Sequence, residues 1–323
     1  MKARALLAVI LRLAVALTLL GLPPTSGAQT PKDQPKAPGR SFTQPSSTPP
    51  GRSIFRADVN MVVVRTSVMD PLNRYVTGLD KEHFRVFEDK VEQSVAHFSQ
   101  ETAPISVGII FDISGSMRDN FAAAKKSVTR FLENGNEQDE FFMVSFNHKV
   151  TLDTDFTNQA TNLQNIISFR TPGGRTALYD AAYMGLEKIR EARHDKRALV
   201  IITDGEDNSS RYSFNEVKEL AKEGDVQIYA IAQEGTMMYG KSIIQDLVNL
   251  TGGRGFFPHS LNELDYYIDL IHSELRNQYV LGYHSSNKDH NGKWRKIKVK
   301  LEPPEGLPKL AVRAREGYYA NKK

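Results

Sequence analysis

The sequence predicts an α/β protein in which a doubly wound, mainly parallel sheet is inserted into a smaller β-sandwich. Three observations support this prediction. Short apolar runs alternate with segments of helical periodicity through the middle of the chain. Strand-like segments rich in β-branched residues lie on both sides of that middle part. Each flank is too short to bury a core alone, so we expect the two flanks to pair with each other.

The N-terminus has the features of an export signal. Three cations and no acid accompany a short apolar run over residues 13–22, and small residues at 26–28 provide a cleavage site. We therefore predict a signal peptide over residues 1–28 and a secreted or periplasmic protein. We expect no stable membrane insertion after cleavage, and an uncleaved N-terminal anchor is the alternative.

Charge and cysteine content limit the classes of function. The formal net charge of +4 falls to +1 when the three cations of the predicted signal peptide are removed (4 − 3 = 1), so we expect no nucleic-acid partner. The chain has no cysteine, which excludes disulfides and thiolate metal sites. Stability must then come from buried cores and from any bound ion.

A linker and a β-rich segment follow the predicted signal peptide. Residues 29–53 hold six of the fifteen prolines and almost no large apolar side chain, which predicts a disordered linker. Residues 54–102 form the first part of the predicted sandwich. Within them we expect a hairpin that turns near Asp89 and Lys90.

The central segment, residues 103–276, alternates between strands and helices. Four apolar runs predict strands buried on both faces: ISVGIIFDI, EFFMVSFN, RALVIITD and VQIYAIAQ. The segments between them have helical spacing, and Gly252 and Gly253 predict the end of one helix. This order of elements predicts a mainly parallel sheet covered by helices on both faces.

Strand signals return in residues 277–323, the second part of the predicted sandwich, with a turn at Asn291 and Gly292. One predicted strand carries Lys296, Lys298 and Lys300 on the same face. We expect a solvated face that discourages edge-to-edge aggregation, and a basic binding surface is the alternative.

Oxygen-bearing side chains lie in three loops of the central segment. Asp112 ends the first central strand, and Ser114 and Ser116 follow it. Thr176 lies in a glycine-rich loop before a helix, and Asp204 ends another buried strand. Ligands of open parallel sheets bind beyond the carboxyl ends of the strands, where the winding reverses. If the two strands are neighbours there, all five oxygens converge.

Such a set of oxygens has a definite chemical meaning. Hydroxyls and carboxylates without His or Cys favour a hard cation, Mg²⁺ or else Mn²⁺ or Ca²⁺. Mg²⁺ takes six oxygen ligands, so a position is left for an Asp or Glu carboxylate of a partner protein. A second interpretation is a helix cap, because Ser116 followed by Asp119 matches a capping box. The two roles can coexist.

The segments DISGS, GGRTAL and ITDGEDN resemble the metal-ion-dependent adhesion site of von Willebrand factor type A domains. The resemblance covers about residues 103–275 and implies a six-stranded, Rossmann-like sheet and a protein-binding module rather than an enzyme. Position by position, it places the metal ligands on Asp112, Ser114, Ser116, Thr176 and Asp204. The flanks are similar to those of secreted bacterial proteins related to this domain.

Other charged residues near the motif have separate expectations. Arg175, beside the loop threonine, departs slightly from the pattern and could either steer an anionic partner or oppose cation binding. We expect Asp180 to lie at the positive end of its helix. Glu206 and Asp207 are expected to hydrogen-bond their loop or a bound water.

The pair Asp153 and Asp155, in TLDTDF, is expected to form a solvated strand edge.

Competing chemistry is less well supported. The segment GTMMYGKS, which ends at Lys241 and Ser242, matches a phosphate-binding loop, but its bulky residues and the predicted export argue against a nucleotide. The sequence contains no G-x-S-x-G or H-E-x-x-H motif, so we expect no enzyme. A metal-assisted hydrolase that uses Asp112 and Asp204 and a purely structural metal remain alternatives.

Overall fold

The computed structural model describes residues 61–100, 102–233, 240–260 and 263–322. All of them lie in one compact unit, Ala57–Lys323. The predicted signal peptide and linker lie outside the described residues, as do positions 235–239 of the segment that matches a phosphate-binding loop. The described residues contain no helix that is long and apolar enough to cross a membrane.

The elements alternate as the sequence predicts in the central part and are strands at both ends. The strands are β1 (Met61–Met69), β2 (Phe84–Glu88), β3 (Val91–Gln93), β4 (Val95–Gln100), β5 (Ser106–Asp112), β6 (Glu140–Phe146), β7 (Val150–Thr157), β8 (Arg197–Thr203), β9 (Gln227–Ala232), β10 (Gly255–Phe256), β11 (Tyr279–His284), β12 (Trp294–Leu301), β13 (Ala311–Ala314) and β14 (Gly317–Tyr319). The helices are α1 (Phe121–Glu133), α2 (Ala160–Phe169), α3 (Leu178–Lys188), α4 (Phe214–Glu223), α5 (Gly240–Thr251) and α6 (Leu264–Arg276).

The central sheet has six strands in the order β10-β9-β8-β5-β6-β7. Every neighbouring pair is parallel except β6 and β7, which are antiparallel. From β5 the chain moves outward to β6 and β7 and then returns to β8 on the other side of β5. The structure therefore confirms a doubly wound, mainly parallel sheet, with its winding reversal between β5 and β8.

Helices cover both faces of this sheet, which explains why its central strands are apolar at consecutive positions. On one face, Ile109 and Phe111 of β5 share a core with apolar side chains of α1 and α6. On the other face, Ile110 packs in a core with residues of α3, α4 and α5. Because successive side chains of a strand point to opposite faces, a strand between two helical layers needs apolar residues throughout.

The flanks form two four-stranded sheets, in the orders β13-β1-β11-β4 and β14-β12-β2-β3. Each sheet combines strands from before and after the central part of the chain. Side chains from both sheets share one core, in which Val64, Phe84, Val86, Tyr279 and Ile297 are all buried. The predicted pairing of the flanks into a sandwich is therefore confirmed.

Of the two turns that the sequence predicts in the sandwich, the one at Asp89 and Lys90 is confirmed. These residues have φ values of 46° and 74°, the left-handed conformation that a two-residue hairpin between β2 and β3 requires. The predicted turn at Asn291 and Gly292 is wrong: Gly292 has a φ of 67°, but Asn291 forms a bridge with Lys322. The strands on either side, β11 and β12, lie in different sheets, so residues 285–293 carry the chain across the sandwich.

The expectation of a solvated strand edge is confirmed for Asp155 and wrong for Asp153. Asp155 is exposed and pairs with Lys188, with 2.8 Å between its Oδ1 and Nζ. The side chain of Asp153 is fully buried and pairs with Arg170, which follows a helix, α2, that the sequence analysis did not predict. Lys296, Lys298 and Lys300 are exposed on one face of β12, as expected.

Candidate metal centre

The two strands that end at the predicted site are direct neighbours. β5 and β8 are parallel, and Phe111 of β5 lies beside Ile202 of β8. Asp112 is the last residue of β5, and Asp204 follows the last residue of β8. The two carboxylates therefore leave the sheet at the winding reversal, where ligands of such sheets bind.

Asp112 is fully buried and fixes the start of the loop that follows it. Its Oδ1 accepts a hydrogen bond from the backbone N–H of Ser114 at 2.7 Å. Its Oδ2 accepts one from the hydroxyl of Thr203 at 2.5 Å. The turn that results brings the Ser114 hydroxyl back toward the end of β8.

The two serines join the carboxylates into one chain of hydrogen bonds. The Oγ atoms of Ser114 and Ser116 lie 2.9 Å apart, and the Ser116 hydroxyl donates to Oδ1 of Asp204 at 2.7 Å. The Ser116 hydroxyl therefore donates its hydrogen bond to Asp204 and not to a backbone group of a helix. Neither the short 3₁₀ turn at Ser116–Asp119 nor α1 has a side-chain cap. The capping-box interpretation of Ser116 and Asp119 is wrong.

Thr176 lies on the other side of the same cluster. Its backbone N–H donates to Oδ1 of Asn208 at 2.9 Å. A Cβ atom built on Gly205 would lie 3.3 Å from the Ser116 hydroxyl and 3.4 Å from the Thr176 hydroxyl, so both hydroxyls line the same small space. The glycine-rich loop is held against the serine loop because the Gly115 N–H donates to the Gly174 carbonyl at 2.9 Å.

The structure thus brings the five predicted side chains together and adds two that the sequence analysis missed. Thr203 donates to Asp112, and it directly precedes Asp204 at the end of an apolar strand, which was an available signal. Asn120 lies between Oδ2 of Asp204 at 3.4 Å and Oε1 of Gln233 at 3.0 Å. The Asn120 side-chain amide is thus a neutral group that donates a hydrogen bond to the Asp204 carboxylate.

Both carboxylates are buried without a basic partner. Asp112 is 0% exposed and Asp204 is 2% exposed, and neither forms an ion pair with a Lys or Arg side chain of the described residues. Burial raises the pKa of Asp112 to about 6, against the opposing hydrogen bonds from Thr203 and Ser114. Burial also raises the pKa of Asp204. The site is therefore a concentration of negative potential.

The neighbouring acids hold the surrounding loops. Asp180, in the first turn of α3, accepts from the backbone N–H groups of Arg211 and Tyr212 at 2.8 and 2.9 Å. Asp207 accepts from the backbone N–H of Tyr179 at 3.2 Å and from the hydroxyl of Ser210, so it bonds within its own loop as expected. Glu206 accepts from the backbone N–H of the first residue of α5 at 3.3 Å, which joins its loop to that helix.

The donor set fits a hard cation. Two carboxylates and three hydroxyls supply oxygen only, which suits an ion of the Mg²⁺ class that keeps several waters. Across the described ranges, no group of three or more His, Cys, Asp or Glu side chains is arranged to hold a metal ion. A site richer in charge or in nitrogen and sulfur ligands is thus not seen in that part of the chain.

The fold and this cluster define a class of protein: a doubly wound α/β domain with an oxygen-rich crevice at its winding reversal. Residues 106–266, half of the chain, match the profile of the von Willebrand factor type A domain. The chain therefore carries a domain of the von Willebrand factor type A family. A comparison with curated proteins finds no match.

Solved structures of similar fold include three bacterial proteins. A von Willebrand factor type A protein from Catenulispora acidiphila is 10% identical, with 72% of this chain and 73% of that chain covered and a TM-score of 0.50. The conserved hypothetical protein BatB from Bacteroides thetaiotaomicron is 19% identical, with 52% and 97% covered and a TM-score of 0.43. The vWF domain of the type V pili tip protein Mfa5 from Porphyromonas gingivalis is 13% identical, with 53% and 95% covered and a TM-score of 0.43. At these identities the likeness concerns the fold alone.

Proposed function

We propose that this chain is an exported, metal-dependent protein-binding module that captures an acidic residue of a partner protein. One observation carries the proposal: two carboxylates, Asp112 and Asp204, are buried side by side with no basic partner among the described residues. Burying an ionised carboxylate without an opposite charge is strongly unfavourable. A divalent cation among these oxygens would supply the missing positive charge.

The residues of the cluster have separate roles in this proposal. Asp112, Ser114, Ser116, Thr176 and Asp204 would hold the ion, Mg²⁺ or alternatively Mn²⁺ or Ca²⁺. Thr203 and Asn120 orient the two carboxylates through the hydrogen bonds they donate. When bound, the cation supplies the positive charge that the two carboxylates lack. The hydroxyls that hold it are neutral and add no further negative charge, so an open position on the ion can take an oxygen anion.

The exposure of the cluster supports an external ligand. Ser116 is exposed to solvent, whereas Asp112 and Ser114 lie beneath it and are buried. A ligand can therefore approach the site only from the side of Ser116. The simplest anionic group that proteins offer to such a site is the carboxylate of Asp or Glu. We propose no catalytic residue, because the site would bind and orient a ligand without a nucleophile or general base of its own.

A metal-binding experiment tests the first half of this proposal. The melting temperature of the mature protein is measured in chelator and after addition of Mg²⁺, Mn²⁺ or Ca²⁺. We expect the ion to stabilise the wild type, by about 2.7 kcal/mol at 100 times its Kd, and to leave Asp112→Asn unchanged. Asp246→Asn, at a side chain that is 62% exposed, is the matched control and should respond as the wild type does.

Capture of a partner tests the second half. Mature protein is used to retain proteins from native extract in Mg²⁺, in chelator and with Asp112→Asn. Retention of a partner in Mg²⁺ alone supports an interaction module. Equal retention in all three conditions would show that binding does not use this site. Stabilisation by metal together with metal-independent retention would assign the ion a structural role.

A further inference from the structure

A second binding feature lies directly beside the metal cluster. An open cavity of about 700 Å³ has Asp180, in the first turn of α3, and His148 in its wall. His148 packs on Gly174 of the loop that carries Thr176, so the cavity adjoins the cluster and one short peptide can reach both. Its wall includes these six residues: His148, Lys149, Asp180, Tyr183, Arg211 and Tyr212.

The charges in this cavity are mostly positive. The Asp180 carboxylate accepts hydrogen bonds from two backbone N–H groups and forms an ion pair with Arg211 Nε at 3.4 Å. The Arg211 side chain is nevertheless 89% exposed. Lys149 is exposed as well, and within the described ranges its ammonium has no ion-pair partner. Two cations therefore stand against one carboxylate, and the cavity keeps a net positive charge.

The loops that carry these cations are fixed in place against the metal cluster. The Asn147 side-chain amide donates to the Gly173 carbonyl at 2.7 Å, and the Asn147 carbonyl accepts from the Ala177 N–H at 2.8 Å. His148 packs so closely on Gly174 that a Cβ there would lie 2.4 Å from its Nδ1. The turn bearing Lys149 is thus bonded to the same glycine-rich loop that presents Thr176.

Two stacked tyrosines give the cavity a flat wall. The rings of Tyr183 and Tyr212 are nearly parallel, with centroids 3.9 Å apart. The backbone of Tyr212 is tied to Asp180, so the stack is anchored to α3. A flat aromatic wall beside two cations suits an extended peptide whose side chain ends in a carboxylate.

From this geometry we infer that the partner is an acidic segment with at least two carboxylates, of which one meets the metal cluster and a second meets Lys149 and Arg211. Side chains two residues apart on an extended strand point the same way and are about 7 Å apart, so one short segment can present two carboxylates to adjoining sites. A Glu-x-Glu or Asp-x-Asp segment therefore fits. This inference rests on the proposed function, because the first carboxylate needs the metal-bearing site.

Synthetic peptides test the inference without knowledge of the natural partner. The dissociation constants of acetyl-Gly-Glu-Gly-Glu-Gly-amide and of the two peptides with one Glu replaced by Gln are measured by NMR titration, in Mg²⁺ and in chelator. A peptide with two equivalent carboxylates binds a single site about twofold more tightly on statistical grounds alone, because either carboxylate can occupy the site. We expect the two-Glu peptide to bind about fivefold to tenfold more tightly than either single-Glu peptide, and the excess to vanish at high salt.

Variants assign the effect to this cavity. In the double variant Lys149→Gln, Arg211→Gln, the preference for the second Glu should fall to about the statistical twofold. Lys298→Gln, at an exposed lysine on β12, removes a cation elsewhere and should retain the wild-type preference. Both replaced side chains project into solvent or the open cavity, so the fold should be kept, which circular dichroism checks.

The outcomes separate the inference from the proposal beneath it. Mg²⁺-dependent binding of every peptide with only a twofold advantage for two carboxylates overturns the inference and leaves the proposed function standing. A larger advantage that survives in the double variant removes the assignment to Lys149 and Arg211. Absence of Mg²⁺-dependent binding for all three peptides overturns the proposed function and the inference together.

Discussion

Carboxylates are buried at several places in the described residues, and two of these places, at Glu88 and at the Asp112 and Asp204 cluster, are built in opposite ways. Glu88, in the sandwich, is 2% exposed and faces Arg295, with 3.2 Å between Oε1 and Nη1. It also accepts hydrogen bonds from the hydroxyls of Tyr283, Tyr318 and Ser285 at 2.8, 2.8 and 2.6 Å. Burial raises the pKa of Tyr283 well above its ordinary value, which keeps that hydroxyl protonated as a donor.

The Asp112 and Asp204 cluster has two buried carboxylates, and the described residues surround them with neutral hydrogen-bond donors. At Glu88 the guanidinium of Arg295 is buried with the carboxylate and neutralises it. The comparison teaches that burial of an acid alone does not single out a candidate site, and that the missing countercharge distinguishes the cluster from the site at Glu88.

The largest expected effect is on the site at Glu88. Arg295→Met leaves Glu88 buried without its cation, so we expect a loss of about 3–5 kcal/mol in the free energy of unfolding. Urea denaturation in chelator measures it. The control is Arg85→Met, whose side chain is 47% exposed and pairs with Glu92 on the surface. That change should lower stability by less than about 1 kcal/mol. Equal losses for the two variants would contradict a special role for the buried pair.

A smaller effect is expected from pH on the Asp112 and Asp204 cluster. In metal-free protein the pKa of Asp112 is raised to about 6, above the ordinary 3.8 of an unfolded aspartate. The folded state then binds the proton more tightly, so the contribution of Asp112 to stability is fully present below pH 4 and is lost as pH rises through the window between 4 and 6. The expected loss is on the order of 3 kcal/mol.

The variant Asp112→Asn isolates this contribution. Denaturation curves in chelator across that pH range should fall less steeply for the variant than for the wild type, while the slope due to Asp204 persists in both. If the stability of the wild type and of the variant changed in parallel with pH, ionised Asp112 would not destabilise the folded, metal-free protein. Mg²⁺ should reduce the difference in wild type, because the ion provides the countercharge.

The smallest effect is expected from crowding the cluster. In Gly205→Ala the new methyl group would lie 3.3 and 3.4 Å from the hydroxyls of Ser116 and Thr176, so one of them must shift by a few tenths of an ångström. We expect Mg²⁺ affinity to fall by roughly fivefold, about 1 kcal/mol. Gly173→Ala is the control, because a Cβ there meets nothing within 4 Å. Metal titration followed by the melting temperature compares the two variants.

Much of the fold follows from residue patterns that are local. β5, β6 and β9 are buried at every position, and their apolar runs predict this directly. α2 was not predicted as an element, and β7 was expected only as a solvated strand edge at Asp153 and Asp155. Asp153 in β7 was assigned to solvent since its partner, Arg170, lies beyond that unrecognised helix. The burial of a charge cannot be inferred while its countercharge is unplaced.

The sequence predicted which side chains lie together at the site, but it did not predict the hydrogen bonds among them. Ser116 has the local pattern of a capping box, yet its hydroxyl bonds to Asp204, which is 88 positions away. A local motif gives no information about a competing acceptor supplied by a distant strand. Asn120 was missed for the same reason, because its two acceptors come from other loops.

The insertion of the central domain into the sandwich also determines the order in which strands can pair. β1 lies between β13 and β11, and β4 lies beside β11. The strands that pair with β1 and β4 are therefore synthesised long after β1 and β4 themselves. During synthesis β2 and β3 can form their hairpin at once. β1 and β4 can pair with β11 only after more than 170 further residues have been synthesised. Once the central domain has folded, it holds its two ends close together and lowers the entropy lost when β11 joins β4. A chain that stops short of β11 leaves strand edges free to associate with other chains, so completion of synthesis is itself a protection against aggregation.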